Sequence, residues 1–346
     1  MTRPKVVRVT TPTLRDVAQL AGVHPATASR ALNPQTRPLV NAETARKVLR
    51  AAESIGYQPN PIARSLKTAR SGTVGVIIPD LTNPLFPPIV RGIEDVLTTA
   101  GYNAWIVNTD NDAGREETLI ESLRSRQVEG LILATARREH PLLIRLHEQG
   151  VRMVLVNRRV DGLELPSVAP DDAAGIALAV AHLAALGHTR IAHLAGPQQT
   201  STGANRARAF RHAMIDNGLP DDLALTVECR YWSESEGAQA LRGLLDSSAR
   251  FTAIVAGNDL IALGCYDVFA ERGIDCPGQM SVVGFNEMPF LDKMRPPLTT
   301  VAIPQYEIGS EAARLLLDTI DEPARHPRSV LMTPSLLVRA STASIS

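Results

Sequence analysis

Apolar positions along this chain follow two different periods. Up to about residue 55 they recur every three or four residues, as on one face of a helix; beyond residue 70 they gather into short β-branched runs separated by helical stretches. A head of short helices followed by an alternating βα body is therefore expected.

Residues Thr13 to Asn33 read as two short helices joined at a glycine. Thr13 supplies a capping hydroxyl, and Asp16 answers the exposed N–H groups and the positive end of the helix dipole. The first helix turns Val17, Leu20 and Ala21 inward. Gly22 can take the left-handed conformation that ends it, and Val23 opens the turn. Pro25 suits the first position of a second helix, with Ala28, Ala31 and Leu32 inside and Thr27, Ser29 and Arg30 outside. A third helix begins at Asn41, carries Ala45, Val48, Ala52 and Ile55 on one face, and stops at Gly56. The three make a unit of roughly 60 residues, near the lower limit for independent folding.

A helix such as the second fits the major groove of B-DNA. Arg30 could take a guanine edge or a phosphate, Thr27 and Ser29 could bond phosphates or bases, and Ala26 would allow close approach. A polar-faced helix pair alone does not establish this; the charge distribution adds to it. Residues 1–70 hold twelve Lys or Arg against three Asp or Glu, whereas residues 71–346 hold 24 against 33. The formal charge of zero hides a basic head on an acidic body, the electrostatic footprint of nucleic-acid binding.

Residues 1–12 read as a loose basic arm without the apolar stretch of a signal peptide, which argues against a secreted sugar-binding protein of a transporter. No run of about 18 apolar residues suggests a membrane span. After the third helix, Asn60-Pro61 is a helix start, but the segment it opens is too short to be stable alone.

In the body, strands are expected at 73–78, 104–107, 130–133, 153–156, 191–194, 252–255 and 281–285. Helices are expected at 89–100, 118–126, 173–186 and 259–272. The alternation argues for buried parallel sheets, doubly wound, with ligands at the carboxyl ends of the strands.

The chain resembles the transcriptional repressors of the lactose and galactose repressor (LacI/GalR) family. The matching residues are Thr13-Leu-x-Asp-Val-Ala, Ala21-Gly-Val, Thr27-x-Ser-Arg-Ala-Leu-Asn33, Gly56-Tyr-x-Pro-Asn60 and Ala63-Arg-Ser-Leu66 in the head. Asn83-Pro-Leu-Phe86, Gly130, Gly187-His188, Ala195-Gly-Pro197, Gly257-Asn-Asp259, Ser281-Val-Val-Gly-Phe285 and Pro297-Leu-Thr-Thr300 carry it through the body. The resemblance implies an all-α helix-turn-helix DNA-binding head (13–58), a hinge helix (59–70) and an α/β periplasmic-binding-protein-like core (71–346). That core would comprise two Rossmann-like subdomains with parallel sheets, one at about 71–170 and 299–328, the other at about 171–298 and 329–346.

As the resemblance implies, the hinge forms on operator DNA and Leu66 wedges into the minor groove. The DNA-contacting candidates are Thr13, His24, Pro25, Ala26, Thr27, Ser29, Arg30, Asn33, Tyr57, Asn60, Ala63, Arg64, Leu66 and Lys67. One departure is His24, where the family usually has serine. Pro25 and Ala26 cannot read base edges through side-chain hydrogen bonds, so specificity leans on Arg30, on thymine-methyl contacts and on DNA shape.

The same motif-by-motif comparison gives effector-binding candidates: Leu85, Phe86, Pro87, Asn157, Arg158, Thr202, Arg206, Trp232, Asn258 and Asn286. Family members often carry aspartate where this chain has Asn157 and Asn286, so the pocket would be neutral to positive. Two readings stay open: an anionic effector such as a sugar acid or sugar phosphate, or a neutral sugar with Arg158 paired to a neighbouring carboxylate. Amides, arginine and a stacking tryptophan suit a polyhydroxylated ring in either case. The expected partners are operator DNA, a small effector and a second copy of the chain, on a pseudo-palindromic site. Beyond Arg339 no leucine heptads follow, so a dimer is expected rather than a tail-zipped tetramer.

Enzyme readings fare poorly, for the chain has no phosphate loop, no Gly-x-Ser-x-Gly elbow and no His-Glu-x-x-His. No cofactor is expected. His182, His188 and His193 lack the spacing of a helical metal pair and read as structural. Cys229, Cys265 and Cys276 form no close pair, which favours a reducing cytosol over zinc or disulfides.

Overall fold

In the computed structural model, which describes residues 12–33, 36–58, 71–322 and 326–345, every β-branched run named above is a strand. The chain divides into two units, residues 1–71 and 72–346.

In the first unit, α1 (Leu14–Leu20), α2 (Pro25–Leu32) and α3 (Ala42–Ser54) close around Val17, Ala18, Ala28, Ala31, Ala45, Val48, Ala51 and Ala52. The residues lining this core are small, which lets three short helices approach closely. Leu20 was expected inside, yet it is 57% exposed. The inward stripe is Leu14, Val17, Ala18 and Ala21, and at 100° per residue Leu20 falls about 110° from its centre. Gly22 and Gly56 have φ of 65° and 64°, the left-handed turns expected of them.

The second unit holds two six-stranded sheets. The first runs β11 (Ser329–Met332), β5 (Ser167–Pro170), β4 (Met153–Val156), β3 (Gly130–Leu133), β1 (Thr73–Ile78), β2 (Asn103–Asn108), all parallel. The second runs β12 (Ser335–Leu337), β10 (Thr299–Ala302), β9 (Ser281–Asn286), β8 (Ala253–Ala256), β6 (Ile191–Ala195), β7 (Thr226–Glu228). It is parallel except that β12 pairs antiparallel with β10, Thr300 opposite Leu337. Central strands such as β1 and β9 are buried at every position, as parallel sheets covered on both faces must be.

Around the first sheet lie α4 (Phe86–Thr99), α5 (Ala113–Ser125), α6 (Pro141–Glu148) and α11 (Gln305–Asp321). Around the second lie α7 (Asp172–Ala185), α8 (Ser201–Asp216), α9 (Glu234–Asp246) and α10 (Asp259–Arg272). Helices α4 and α11 touch backbone to backbone. A Cβ on Gly309 would stand 1.9 Å from the Ile89 carbonyl oxygen and one on Gly92 2.1 Å from that of Tyr306.

The chain passes between the subdomains three times, at 170–172, 302–305 and 332–335. Two expected boundaries are corrected by this. β10 was assigned to the first subdomain, but it pairs with β9 in the second, Thr299 opposite Val283. Residues 329–332 were assigned to the second, but as β11 they extend the first sheet, Ser329 opposite Ser167. Each sheet thus completes itself with a strand from the distant C-terminal portion, and only pairing, not local periodicity, decides which.

Candidate functional sites

The head presents α2. Its N-cap is His24, whose Nδ1 accepts from the Ala26 N–H at 3.2 Å, so the imidazole does the capping that serine would do. Thr13 is equally committed: it shares a capping box with Asp16, donating both its N–H and its hydroxyl to the Asp16 carboxylate at 2.8 Å. These bonds hold the Asp16 carboxyl below its usual range.

His24, Ala26 and Arg30 are exposed, while Pro25, Thr27 and Ser29 are half-buried. The carboxyl end of α2 is sealed by two residues the sequence reading passed over. Thr36 donates to the Arg30 carbonyl at 3.0 Å and Arg37 Nε to that of Ala31 at 2.9 Å. Asn33 is the C-cap between them. Tyr57 packs on the head's core, and burial raises its phenol above the ordinary range. Asn60, Ala63, Arg64, Leu66 and Lys67 lie outside the described residues.

In the second unit the carboxyl ends of both sheets face a cleft. A narrow void of about 10 Å³ there is lined by Leu85, Phe86, Asn157, Arg158, Thr202, Arg206, Trp232, Asn258 and Asn286, together with Asn83. Nine of the ten expected residues therefore meet in one place. Pro87 does not: it is the second residue of α4, exposed, while Phe86 beside it turns inward.

The geometry separates the two arginines. Arg206, on α8, is buried; its Nε donates to Asp172 Oδ1 at 2.7 Å and its Nη1 to the Gly257 carbonyl at 2.7 Å. Its guanidinium lies 3.7 Å from the centre of the Phe285 ring. Burial pushes the Asp172 carboxyl up, with Arg206 pulling the other way. Arg158 is also buried, yet its side chain makes no hydrogen bond or ion pair among the described residues, and its Nε is without a partner. Desolvation lowers its pKa to about 10; Glu116 opposes this, while Arg206 and Arg137 add to it.

Asn157 and Asn286 follow or end corresponding strands, β4 and β9, and both have positive φ, 66° and 120°. The Asn286 carbonyl accepts from Gln305 Nε2 at 2.7 Å, which ties this wall of the void to the first residue of α11. Asn258 caps α10, its Oδ1 accepting from the Ile261 N–H at 2.9 Å. Trp232 lies over Gly196, where a Cβ would stand 1.9 Å from the indole.

An outer chamber of about 360 Å³, open to solvent, shares Asn83, Phe86, Arg158 and Trp232 with the inner void. It adds residues that the sequence reading missed, chiefly Glu116, Arg137, Thr135 and Tyr231. Glu116 is buried at the first turn of α5, bonded to the Thr135 hydroxyl and near His140 Nε2 (3.2 Å) and Arg137 (3.6 Å). Its position just after the carboxyl end of β2, like that of Arg137 after β3, was the available signal.

The three histidines do other work. His188 bridges Thr252, Ser281 and the Ala343 carbonyl, and His182 bonds Thr342, so both fasten the C-terminal segment. His193 stacks on Phe210.

A helix-turn-helix head joined to a two-sheet, cleft-bearing body defines a ligand-responsive DNA-binding regulator by its class. The model of the bacterial regulatory proteins of the lacI family matches residues 13–60, and that of the periplasmic binding protein-like domain matches 180–342. The chain is 33% identical to the ribose operon repressor of Halalkalibacterium halodurans over 331 residues, 95% of this chain and 97% of that one. Among solved structures it is similar to the lac repressor dimer bound to operator and the anti-inducer ONPF (TM-score 0.87, 27% identity, 97% of this chain and 100% of that one). It is also similar to the transcriptional regulator CelR in complex with cellobiose (TM-score 0.74, 30% identity, 95% and 99%). The chain belongs to the lacI family of bacterial regulatory proteins.

Proposed function

We propose that this protein is a transcriptional repressor that binds a pseudo-palindromic operator as a homodimer in the cytoplasm and is controlled by a small polyhydroxylated effector held in the cleft. It is a regulator rather than an enzyme. The observation that carries the reading is the convergence of amides, an aromatic platform and arginine between two subdomains that the chain joins by three short crossings. An effector there can act only through unequal affinity for the open and closed arrangements, and Gln305 at one crossing bonds the carbonyl of a lining residue.

At the DNA end, the exposed side of α2 supports major-groove contact by His24, Ala26 and Arg30, with Thr27 and Ser29 at its margin. Relatives whose names specify ribose or cellobiose support a sugar-like effector. The test is an electrophoretic shift of the full chain on its own promoter at low and moderate salt, with and without candidate sugars. Tight binding that weakens steeply with salt and changes with one sugar is expected. Indifference to every duplex at low salt would remove the reading.

A further inference from the structure

We propose that the effector carries an anionic group, a carboxylate or a phosphate, which seats on Arg158 where the inner void opens into the outer chamber. This rests on the effector reading above and narrows it to a chemical class.

Six buried side-chain N and O atoms among the described residues lack a partner, and four of them belong to Asn157, Arg158 and Arg159. Such atoms are rare in a folded protein and call for a ligand or water. Here they lie on consecutive residues at the carboxyl end of β4, where the backbone is held in the left-handed region at Asn157. Asn157 and Arg158 are 3% and 6% exposed, and both line the inner void.

The charges decide what that ligand is. The two other buried ions that line the chambers, Arg206 and Glu116, are already answered. Arg206 is paired with Asp172 at 2.7 Å. Glu116 is engaged by Thr135, His140 and Arg137. Asp80, on the outer chamber's wall, is occupied by the Thr82 N–H and hydroxyl at 2.8 and 2.6 Å. Arg158 is a buried cation without a carboxylate within 4 Å among the described residues, and it stays protonated at neutral pH; Arg159 beside it is half-buried, has buried guanidinium nitrogens without a partner too, and lines neither chamber. A guanidinium taken out of water is costly unless paired. A ligand oxyanion supplies the pair, in the planar, two-pronged geometry that arginine suits. A neutral hydroxyl would satisfy a donor but leave the charge.

Position adds a second constraint. Arg158 borders both chambers and the inner one is narrow, so an anion there lets the ring lie in the outer chamber beside Phe86 and Trp232, with Arg137 on the same wall for a bulkier phosphate. The orphaned Asn157 Oδ1 cannot bond an anion and accepts from a hydroxyl of the same molecule. Anion and polyol are thus read by adjacent residues.

The experiment is calorimetry and thermal shift of the full chain with glucose and ribose, with glucuronate and gluconate, and with glucose 6-phosphate and ribose 5-phosphate. At least one anionic sugar should bind about tenfold or more tightly than its neutral counterpart. The sugar acids and sugar phosphates form separate arms that distinguish carboxylate from phosphate. Arg158→Gln should erase that preference and raise the melting temperature of the ligand-free protein, because it removes an unanswered charge. Neutral sugars binding as well as anionic ones would overturn the anion and leave the effector reading standing. Binding by none of the six would remove the effector reading too. An Arg158→Gln protein that melts no higher than the wild type would overturn the claim independently of any ligand.

Discussion

Arg206 and Asp172 meet at 2.7 Å with side chains 2% and 5% exposed, and the pair joins the first residue of α7 to the middle of α8. Removing one partner of such a pair strands the other charge in a low-dielectric site. Asp172→Ala should therefore cost about 3–5 kcal/mol of the core's stability. Urea denaturation checks it, and a loss below about 1 kcal/mol would show that water reaches Arg206 and answers its charge.

Much of the head was legible because its signals are local. Thr13, Gly22, Pro25 and Asn41 each act within a turn of where they stand, and the structure uses all four as the sequence implied. Leu20 was misread because a leucine near an inward stripe was given its hydrophobicity rather than its angle. In the body, strand positions followed from β-branched runs, but the exchange of β10 and β11 between sheets did not. That choice is made by pairing between strands rather than within a run, Ser329 with Ser167 far along the chain and Thr299 with Val283 nearby. The lining of the void was reached through family motifs, whereas Glu116 and Arg137 look in sequence like any solvated charges. Only the fold shows that Glu116 is buried among partners.

Arg30 is exposed on α2. Arg30→Ala should cost about 1–3 kcal/mol of operator affinity and relax specificity, with a smaller loss on random duplex. Fluorescence anisotropy on both duplexes distinguishes base reading from phosphate contact: equal losses would assign Arg30 to phosphate alone.

His24 caps α2 through Nδ1. His24→Ala should lower the head's stability by about 1 kcal/mol, and His24→Asn should restore most of it, since asparagine is among the best N-caps. Thermal melting followed by far-ultraviolet dichroism of the full chain is the measurement. An alanine variant that melts with the wild type would mean the imidazole contributes no cap.

Trp232 rests on Gly196 with no space for a methyl group. Gly196→Ala should displace the indole and weaken effector binding without unfolding the second sheet, whose strand β6 ends one residue earlier. The chain has two tryptophans, so Trp105→Phe isolates the Trp232 emission. Emission and ligand affinity both unchanged by Gly196→Ala would show that the loop yields instead of the ring.

His193 and Asp259 should bend the stability curve in opposite directions with pH. The His193 Nδ1 lies 2.8 Å from the Val255 carbonyl, which can only accept, so the neutral ring carries its proton there. Burial pulls its pKa to about 4, the Val255 bond opposes this, and Arg206 adds to it. The unfolded histidine takes up its proton near pH 6.5, so between about 6.5 and 4 the unfolded chain holds more protons and stability falls with pH, by roughly 3 kcal/mol in all. Asp259 accepts from the Met288 N–H and the Thr300 hydroxyl, and burial pushes its carboxyl up to about 6. Its contribution is complete below the unfolded value near 3.9 and is lost as pH rises through 6. The two windows overlap, so each is visible only with the other group removed. Relative to wild type, His193→Phe should gain stability between pH 7 and 4.5, and Asp259→Asn should lose it. Urea midpoints at those two pH values measure both. A His193→Phe difference that is the same at pH 7 and 4.5 would show that the imidazole is reached by solvent and titrates as it does in the unfolded chain.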